Sequence, residues 1–300
     1  MSTSATITTA FRQQFHDTFI HALQTKESRL GSTVVNRGMI DGSSFTVNKI
    51  GSSEMREVTG RYQDKSAQDI DHQTRLAYMA DYDAGPYVVD AFDLPKLVAD
   101  PTYKYVELML AATARRKDKT IYRALLDGSL TRSTEGGTIT STTLPSGQQI
   151  AAGGTGLTKA KVIQAKSLFR KNKADSKDEP GVTLYLAYNS DSVRQILSDT
   201  TLTSADFLAT RMLEQGELVN WCGFMWIPYE DLDVPSANVA RTVAWSSSAV
   251  HYGTGINVKT DVSENKAKRG HPMEAYGVLS LGATRENELK VVQIDFATNV

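Results

Sequence analysis

Asp100-Pro101 and Gly128 bracket the stretch of this chain that leaves folding least choice. Asp is a good helix cap. Pro suits the first helical position, where its fixed φ is right and its missing N–H would have no partner anyway. Val106, Met109, Leu110, Thr113, Ile121 and Leu125 then recur at helical spacing, and Gly128 is a natural stop. The spacing predicts a helix over 101–127. Its 27 residues make a rod of roughly 40 Å, more than twice the average helix. The rest of the chain has to be placed around that rod.

Ahead of it, residues 8–29 read as an amphipathic helix capped by Thr8 or Thr9. Phe11, Phe15, Phe19 and Leu23 recur every four residues and form one narrow apolar stripe. The stripe needs a partner surface, either on its own domain or on a neighbouring subunit. Residues 31–75 change character. Thr33–Ile40 and Phe45–Ile50 read as strands, with Asp41-Gly42 as the turn between them. Charges of both signs are dense from Glu54 to Asp71. Such a stretch buries too little apolar area for its own core, so it is expected as a long, twisted, polar hairpin projecting from the body.

Beyond the helix, 129–157 is rich in Ser, Thr and Gly and reads as a surface excursion with a short hairpin. Thr158 caps a helix carrying Val162, Ala165, Leu168 and Phe169. Val182–Tyr188 is a strand, Asn189 or Ser190 caps a short helix, and Ser204 caps another. Phe224–Tyr229 and Thr242–Trp245 are strands. This block is an α/β domain. The end is β: Ile256–Val262, then Ala275–Thr284 and Leu289–Phe296 as a hairpin across Arg285–Glu288. The last strands are expected to pair with the segment before the long helix, making the α/β block an insertion in a discontinuous domain.

Lys plus Arg is 33 and Asp plus Glu is 34. A near-neutral chain has no global pull toward nucleic acid, whose binders gain affinity by neutralising phosphates. One cysteine, Cys222, cannot make an internal disulfide. Met1 to Ala10 lacks the basic start and apolar run of a secretory signal, and no stretch approaches the ~18–20 apolar residues of a membrane span. The expectation is a soluble protein that stays in the reducing cytoplasm where it is made. Catalytic motifs fail on inspection. Gly153-Gly154-Thr155-Gly156-Leu157-Thr158-Lys159 lacks the Gly-Lys-Ser/Thr ending of a phosphate loop. Asp81-Tyr82-Asp83-Ala84-Gly85 lacks the third oxygen ligand of a calcium loop, and Phe92 stands where the closing Glu would be. The five histidines show no metal-ligand spacing, and Ser246-Ser247-Ser248 is no nucleophile elbow. No enzyme activity, cofactor or metal is expected. Arg115, Arg116, Lys117, Lys119 and Arg123 on the long helix are the one hint of nucleic acid. The alternative is a solvated face with salt bridges.

Several runs, taken in order, resemble the major capsid proteins of tailed bacteriophages over nearly the whole chain. Phe15-His16-Asp17-Thr18-Phe19 to Ser28-Arg29-Leu30 is similar to that family's N-terminal arm. Asp81-Tyr82-Asp83, then Asp93-Leu94, Leu97 and Asp100-Pro101-Thr102, resembles its approach to a spine helix. Gly223-Phe224-Met225-Trp226-Ile227, Ala244-Trp245, and Leu281-Gly282-Ala283-Thr284 leading to Val291-Val292-Gln293-Ile294-Asp295 resemble its later strands. The resemblance implies an α+β fold of four parts: an N-terminal arm (1–30), an extended β-hairpin loop (31–75), a peripheral domain with the spine helix 101–127 (76–128 and 256–300), and an inserted axial α/β domain (129–255). It implies a structural protein that self-assembles as pentamers and hexamers into an icosahedral capsid around double-stranded DNA. Implied partners are the portal protein, a separate scaffolding or decoration protein, and DNA held by passive containment; no membrane is implied. Phe11, Phe15, Phe19, Glu54, Arg56, Glu57, Arg61, Asp64 and Lys65 are then the candidate contacts between subunits. Arg115, Arg116, Lys117, Lys119 and Arg123 form a candidate inner-surface face, only mildly attractive to DNA. Some relatives crosslink Lys to Asn; Lys49 and Lys65 have no matching motif, so no crosslinks are expected. The alternatives are the shell of a protein-filled nanocompartment and a small-molecule-binding α/β protein.

Overall fold

A computed structural model describes residues 24–57, 60, 67–89, 102–133, 136–198 and 220–299. The chain opens with strands β1 (Val35–Met39), β2 (Ser44–Ile50), β3 (His72–Tyr78) and β4 (Ala80–Val89), then the long helix α1 (Thr102–Leu126). The Asp100-Pro101 start expected for α1 lies outside the described residues. Ala111, Asp118, Ile121, Tyr122 and Leu125 are buried along one side of it, the stripe a core-facing helix requires, while Met109 is buried on the other side and Leu110, expected on the apolar face, is 46% exposed. Gly128 follows the rod where a side chain has no room: a Cβ there would lie 2.1 Å from Ser141 Oγ.

Strands β5 (Ser129–Arg132), β6 (Thr140–Thr142) and β7 (Gln149–Ile150) follow, then helix α2 (Lys159–Lys171), strand β8 (Leu184–Tyr188) and helix α3 (Ser190–Leu197). Asn189 caps α3, its Oδ1 accepting from Ser192 N at 3.0 Å, as its sequence signal predicts. The helix expected at Ser204 lies outside the described residues. The remainder is β9 (Asn220–Trp221), β10 (Phe224–Pro228), β11 (Asp233–Ser236), β12 (Val239–Ser246), β13 (Val250–Glu264), β14 (Met273–Arg285) and β15 (Val291–Ala297).

These strands make three sheets. One runs β1-β13-β14-β4, one runs β2-β3-β5-β6, and a seven-stranded sheet runs β7-β15-β12-β8-β10-β9 with β11 on β12. The seven-stranded sheet holds the core. Leu186, Val243, Trp245, Val292, Ile294 and Phe296 are fully enclosed, and Phe169 of α2 meets Phe224 edge-on at 5.8 Å. The parallel pairs β8/β10 and β7/β15 lie here, where both sheet faces are covered as parallel strands need.

Two expected pairings do not form. β1 and β2 are not a hairpin across Asp41-Gly42: β1 runs parallel to β13, Val35 opposite His251, and β2 pairs antiparallel with β3, Phe45 opposite Ala77. The projecting hairpin is therefore β2–β3. At the C-terminus, β14 does pair with β4, ahead of the long helix, as expected. It forms its hairpin with β13, however, while β15 crosses to β12 in the seven-stranded sheet. Burial explains the crossing: Val291 to Ile294 are buried on both strand faces, which a two-stranded hairpin cannot provide.

Candidate assembly surfaces

The N-terminal segment enters the described structure on top of α1. Asp118 is 2% exposed, and its carboxylate accepts from Ser28 Oγ at 2.6 Å, Arg29 N at 2.9 Å and Leu30 N at 3.0 Å. One helix carboxylate thus satisfies a whole turn of the incoming chain. Two neighbouring residues of the same helix add to this. Arg115 Nη1 donates to Gln24 Oε1 and Thr25 O at 2.8 and 3.2 Å, and Lys117 Nζ sits 4.6 Å above the Tyr252 ring. Arg29 Nη1 reaches Pro228 O at 3.1 Å. The arm root is pinned to both the helix and the seven-stranded sheet. Phe11, Phe15 and Phe19 lie outside the described residues.

Most of the basic run on α1 is engaged within the subunit. Arg116 stacks on Tyr82, 3.8 Å from the ring centre. Arg123 pairs with Asp233 at 3.0 Å and with Asp127 at 3.8 Å. Lys119 is exposed. Lys117 points to a different side of the helix from Arg115, Lys119 and Arg123, two residues being about 200° of helical rotation.

The β2–β3 hairpin carries large apolar side chains left exposed among the described residues: Ile50 is 65% exposed, Met55 fully exposed and Tyr78 53% exposed, with Met39 at 65% on β1. Other exposed large apolar side chains, such as Val234 at 66% and Ile163 at 47%, are scattered over the remaining elements. Glu54, Arg56 and Glu57 are exposed beside Met55; Arg61, Asp64 and Lys65 lie outside the described residues.

What holds this hairpin to the body was not visible in the sequence. Arg75 of β3 is 2% exposed and Arg285 at the end of β14 is fully buried. Glu288 lies between them, Oε2 at 2.7 Å from Arg75 Nη2 and Oε1 at 3.8 Å from Arg285 Nε. Arg75 also donates to Glu286 O, Ser129 Oγ and Thr131 Oγ1. Arg285 donates to Leu125 O, Asp127 O and Thr142 O at 2.7, 2.9 and 3.1 Å. The hairpin, the end of α1, the β5–β6 excursion and the β14 terminus therefore meet at one carboxylate. Burial depresses the Arg285 pKa, opposed by Glu288. Residues 75, 285 and 288 have no local pattern, so no sequence signal pointed to them.

The rejected catalytic motifs have structural explanations. The glycine turn at 153–156 presents carbonyls rather than N–H groups to its interior: buried Lys161 Nζ donates to Ala152 O, Thr155 O and Asp295 O at 2.8, 2.9 and 3.1 Å. That is the reverse of a phosphate cradle. Asp81 and Asp83 stand exposed on the extended strand β4, which does not wrap a cation. Among the described residues no group of three or more His, Cys, Asp or Glu is placed to hold a metal. Burial raises the Cys222 thiol pKa despite Lys166 and Lys159, the opposite of a reactive thiolate. Open concavities of about 250, 330 and 350 Å³ line the faces of α1, at the lower limit of ligand-site volumes.

A chain entry pinned to the long helix, a latched hairpin and a buried seven-stranded sheet make up this architecture, and solved phage capsids share it. The capsid asymmetric unit of cyanophage Pam1 matches with a TM-score of 0.72 at 11% identity, covering 99% of this chain and 99% of that one. The acid-stable capsid of Helicobacter pylori bacteriophage KHP30 matches at 0.71 and 10% identity, covering 100% and 99%. The capsid of cyanophage P-SCSP1u matches at 0.68 and 15%, covering 97% and 94%. At these identities the likeness is one of fold. The sequence supplies the family: residues 7–298 match the phage capsid protein model, and the chain belongs to that family. It is a shell-forming structural protein of the virion capsid. No curated protein matches the sequence.

Proposed function

We propose that this chain is the major capsid protein of a tailed phage, assembling as pentamers and hexamers into a closed icosahedral shell around double-stranded DNA, and that it has no enzymatic activity. The observation that carries the reading is that the match to the phage capsid family spans residues 7–298. The parts take these roles: 1–30 is the arm, 31–75 the extended loop, 76–128 with 256–300 the peripheral domain, and 129–255 the axial domain. The strand β15 ties the last two together.

Shell subunits work by geometry. Arm and hairpin lie over neighbours and bury apolar area that one subunit leaves in water, about 25 cal/mol per Å². Individually weak contacts suffice because closure multiplies them. Phe11, Phe15 and Phe19 supply apolar anchors. Glu54, Arg56, Glu57, Arg61, Asp64 and Lys65 supply register and partner choice, since exposed ion pairs give only ~0–1 kcal/mol each. Lys119 and Arg123 face the interior, where the mostly engaged basic run of α1 leaves the wall weakly attractive. Containment of DNA is passive. Assembly takes place in the host cytoplasm, with a portal protein at one vertex and a separate scaffolding or decoration protein as partner.

Nuclease treatment of purified particles tests this. Protected double-stranded DNA is the expected content; protein cargo without DNA identifies a nanocompartment instead. Particles run on a denaturing gel give a single monomer band, and a ladder of covalent multimers would refute the absence of crosslinks.

A further inference from the structure

Among the described residues, the sheet β1-β13-β14-β4 carries exposed charges without ion pairs in the turn 265–272, on β4 and at Lys259 of β13, which stands across Val278 from Asp83. The turn 265–272 between β13 and β14 presents Lys266, Lys268, Arg269 and His271, all exposed. Backbone hydrogen bonds close the turn. Asn265 N donates to Pro272 O at 2.9 Å, Lys268 N to Asn265 O at 3.3 Å, and His271 N to Lys268 O at 3.2 Å. Glu274 holds Lys268 at 3.1 Å and accepts from Asn265 Nδ2 at 2.6 Å. Asp261 and Glu264 stand behind the turn on β13. Lys266, Arg269 and His271 make no ion pair among the described residues.

Across the sheet, β4 is the edge strand. Asp81 and Asp83 are exposed there, two residues apart and so on the same side of the strand. They too make no ion pair among the described residues. The register places Asp83 opposite Val278 and Asp81 opposite Ser280. His271, the last exposed residue of the turn, is then seven residues away along β14, about 23 Å. A turn cannot reach the acids of its own chain.

We propose that the basic turn 265–272 of one copy docks against the Asp81–Asp83 flank of the next copy. Turn and flank are different patches, so every copy uses both and the contact propagates from copy to copy until it closes, as a shell requires. The docked turn also covers the outer edge of β4, whose backbone groups otherwise invite unspecific strand pairing. The pairs are exposed, so they are screened by salt and act on register more than on strength. This inference rests on the shell reading.

The test is a charge swap in the full-length chain, co-expressed with the head proteins of its phage. The chains compared are wild type, K266E/R269E, D81K/D83K and the four-fold swap, and the readout is the fraction sedimenting as closed shells. Each double variant is expected to lower that fraction by about tenfold or more, because a small loss per contact is multiplied over the shell; the four-fold swap is expected to recover it. Double variants that assemble like wild type, or a swap that recovers nothing, overturn the contact alone. So do K266E/R269E shells that form normally but lose their DNA, which would turn the patch toward nucleic acid. A wild-type chain giving no shells overturns the shell reading and the contact with it. If a charge variant misfolds, the R269C/D83C chain carrying C222S decides: shells oxidised under mild conditions yield a ladder of disulfide-linked dimers and higher multimers, and its absence overturns the proposal.

Discussion

Replacing Glu288 by Gln removes one negative charge and almost no volume, at the point where four elements of the fold meet. The guanidinium groups of Arg75 and Arg285, 2% and 0% exposed, keep their neutral acceptors: Glu286 O and two hydroxyls for the first, three carbonyls for the second. What they lose is the countercharge, 2.7 and 3.8 Å away. In addition, the new amide nitrogen is a donor facing either Arg75 or Ser129, both of which donate to the carboxylate now. Removing one partner of a buried pair costs about 3–5 kcal/mol. At roughly 2–4 °C per kcal/mol for large domains, the calorimetric Tm of Glu288→Gln should fall on the order of 10 °C. Hydrogen exchange should rise first along β2 and β3, which the latch holds. Removing both members, Arg75→Met with Glu288→Met, should be milder than the single change, because no uncompensated partner of that pair remains. A Glu288→Gln chain within about 1 kcal/mol of wild type, or a double variant no better than the single, would refute the latch.

Asp118→Ala should cost about 2–4 kcal/mol and raise hydrogen exchange at 28–30, since buried Leu30 N loses its acceptor. Unchanged exchange there would mean that the arm root is held elsewhere. Lys161→Met should speed proteolysis at 152–156 by freeing three carbonyls, and equal cleavage rates would contradict that role. Acid sensitivity should be reduced in Glu286→Gln. Burial pushes the Glu286 carboxyl up, but its His251 and Lys290 partners outweigh this and hold it below its ordinary value. Between the folded and unfolded pKa values the unfolded chain binds more protons. The stabilisation is therefore complete above the ordinary value near ~4.3 and is lost as pH falls through the folded one. Melting curves from pH 7 to 3 test this, and wild-type and variant midpoints that fall in parallel would rule it out.

Local chemistry was legible in the sequence and pairing was not. The α1 stripe, the Asn189 cap and the β8 strand depend on neighbours within a few residues, and they lie where spacing puts them except for Leu110, which is exposed. Strand partners depend on which surfaces are left uncovered. Asp41-Gly42 reads as a hairpin turn, yet Ile40 N binds Thr254 O and Met79 N binds Ser43 O, so the chain passes from one sheet to another there. One clue for β15 was present: Val291-Val292-Gln293-Ile294 is nearly continuous apolar sequence rather than alternating, the pattern of a strand buried on both faces. The latch at Glu288 and the acceptor at Asp118 had no such clue, because lone charged residues far apart in sequence look like ordinary surface. The basic run on α1 looked like a face, but the structure draws Arg115, Arg116 and Lys117 onto intramolecular partners.

Negative-stain electron microscopy of the recombinant full-length chain, with and without the other head proteins, tests the central claim most directly. Closed shells of uniform diameter, in at least the co-expressed preparation, are the predicted result. A monomer or small oligomer in both preparations, with a melting temperature that responds to a small molecule, would contradict it.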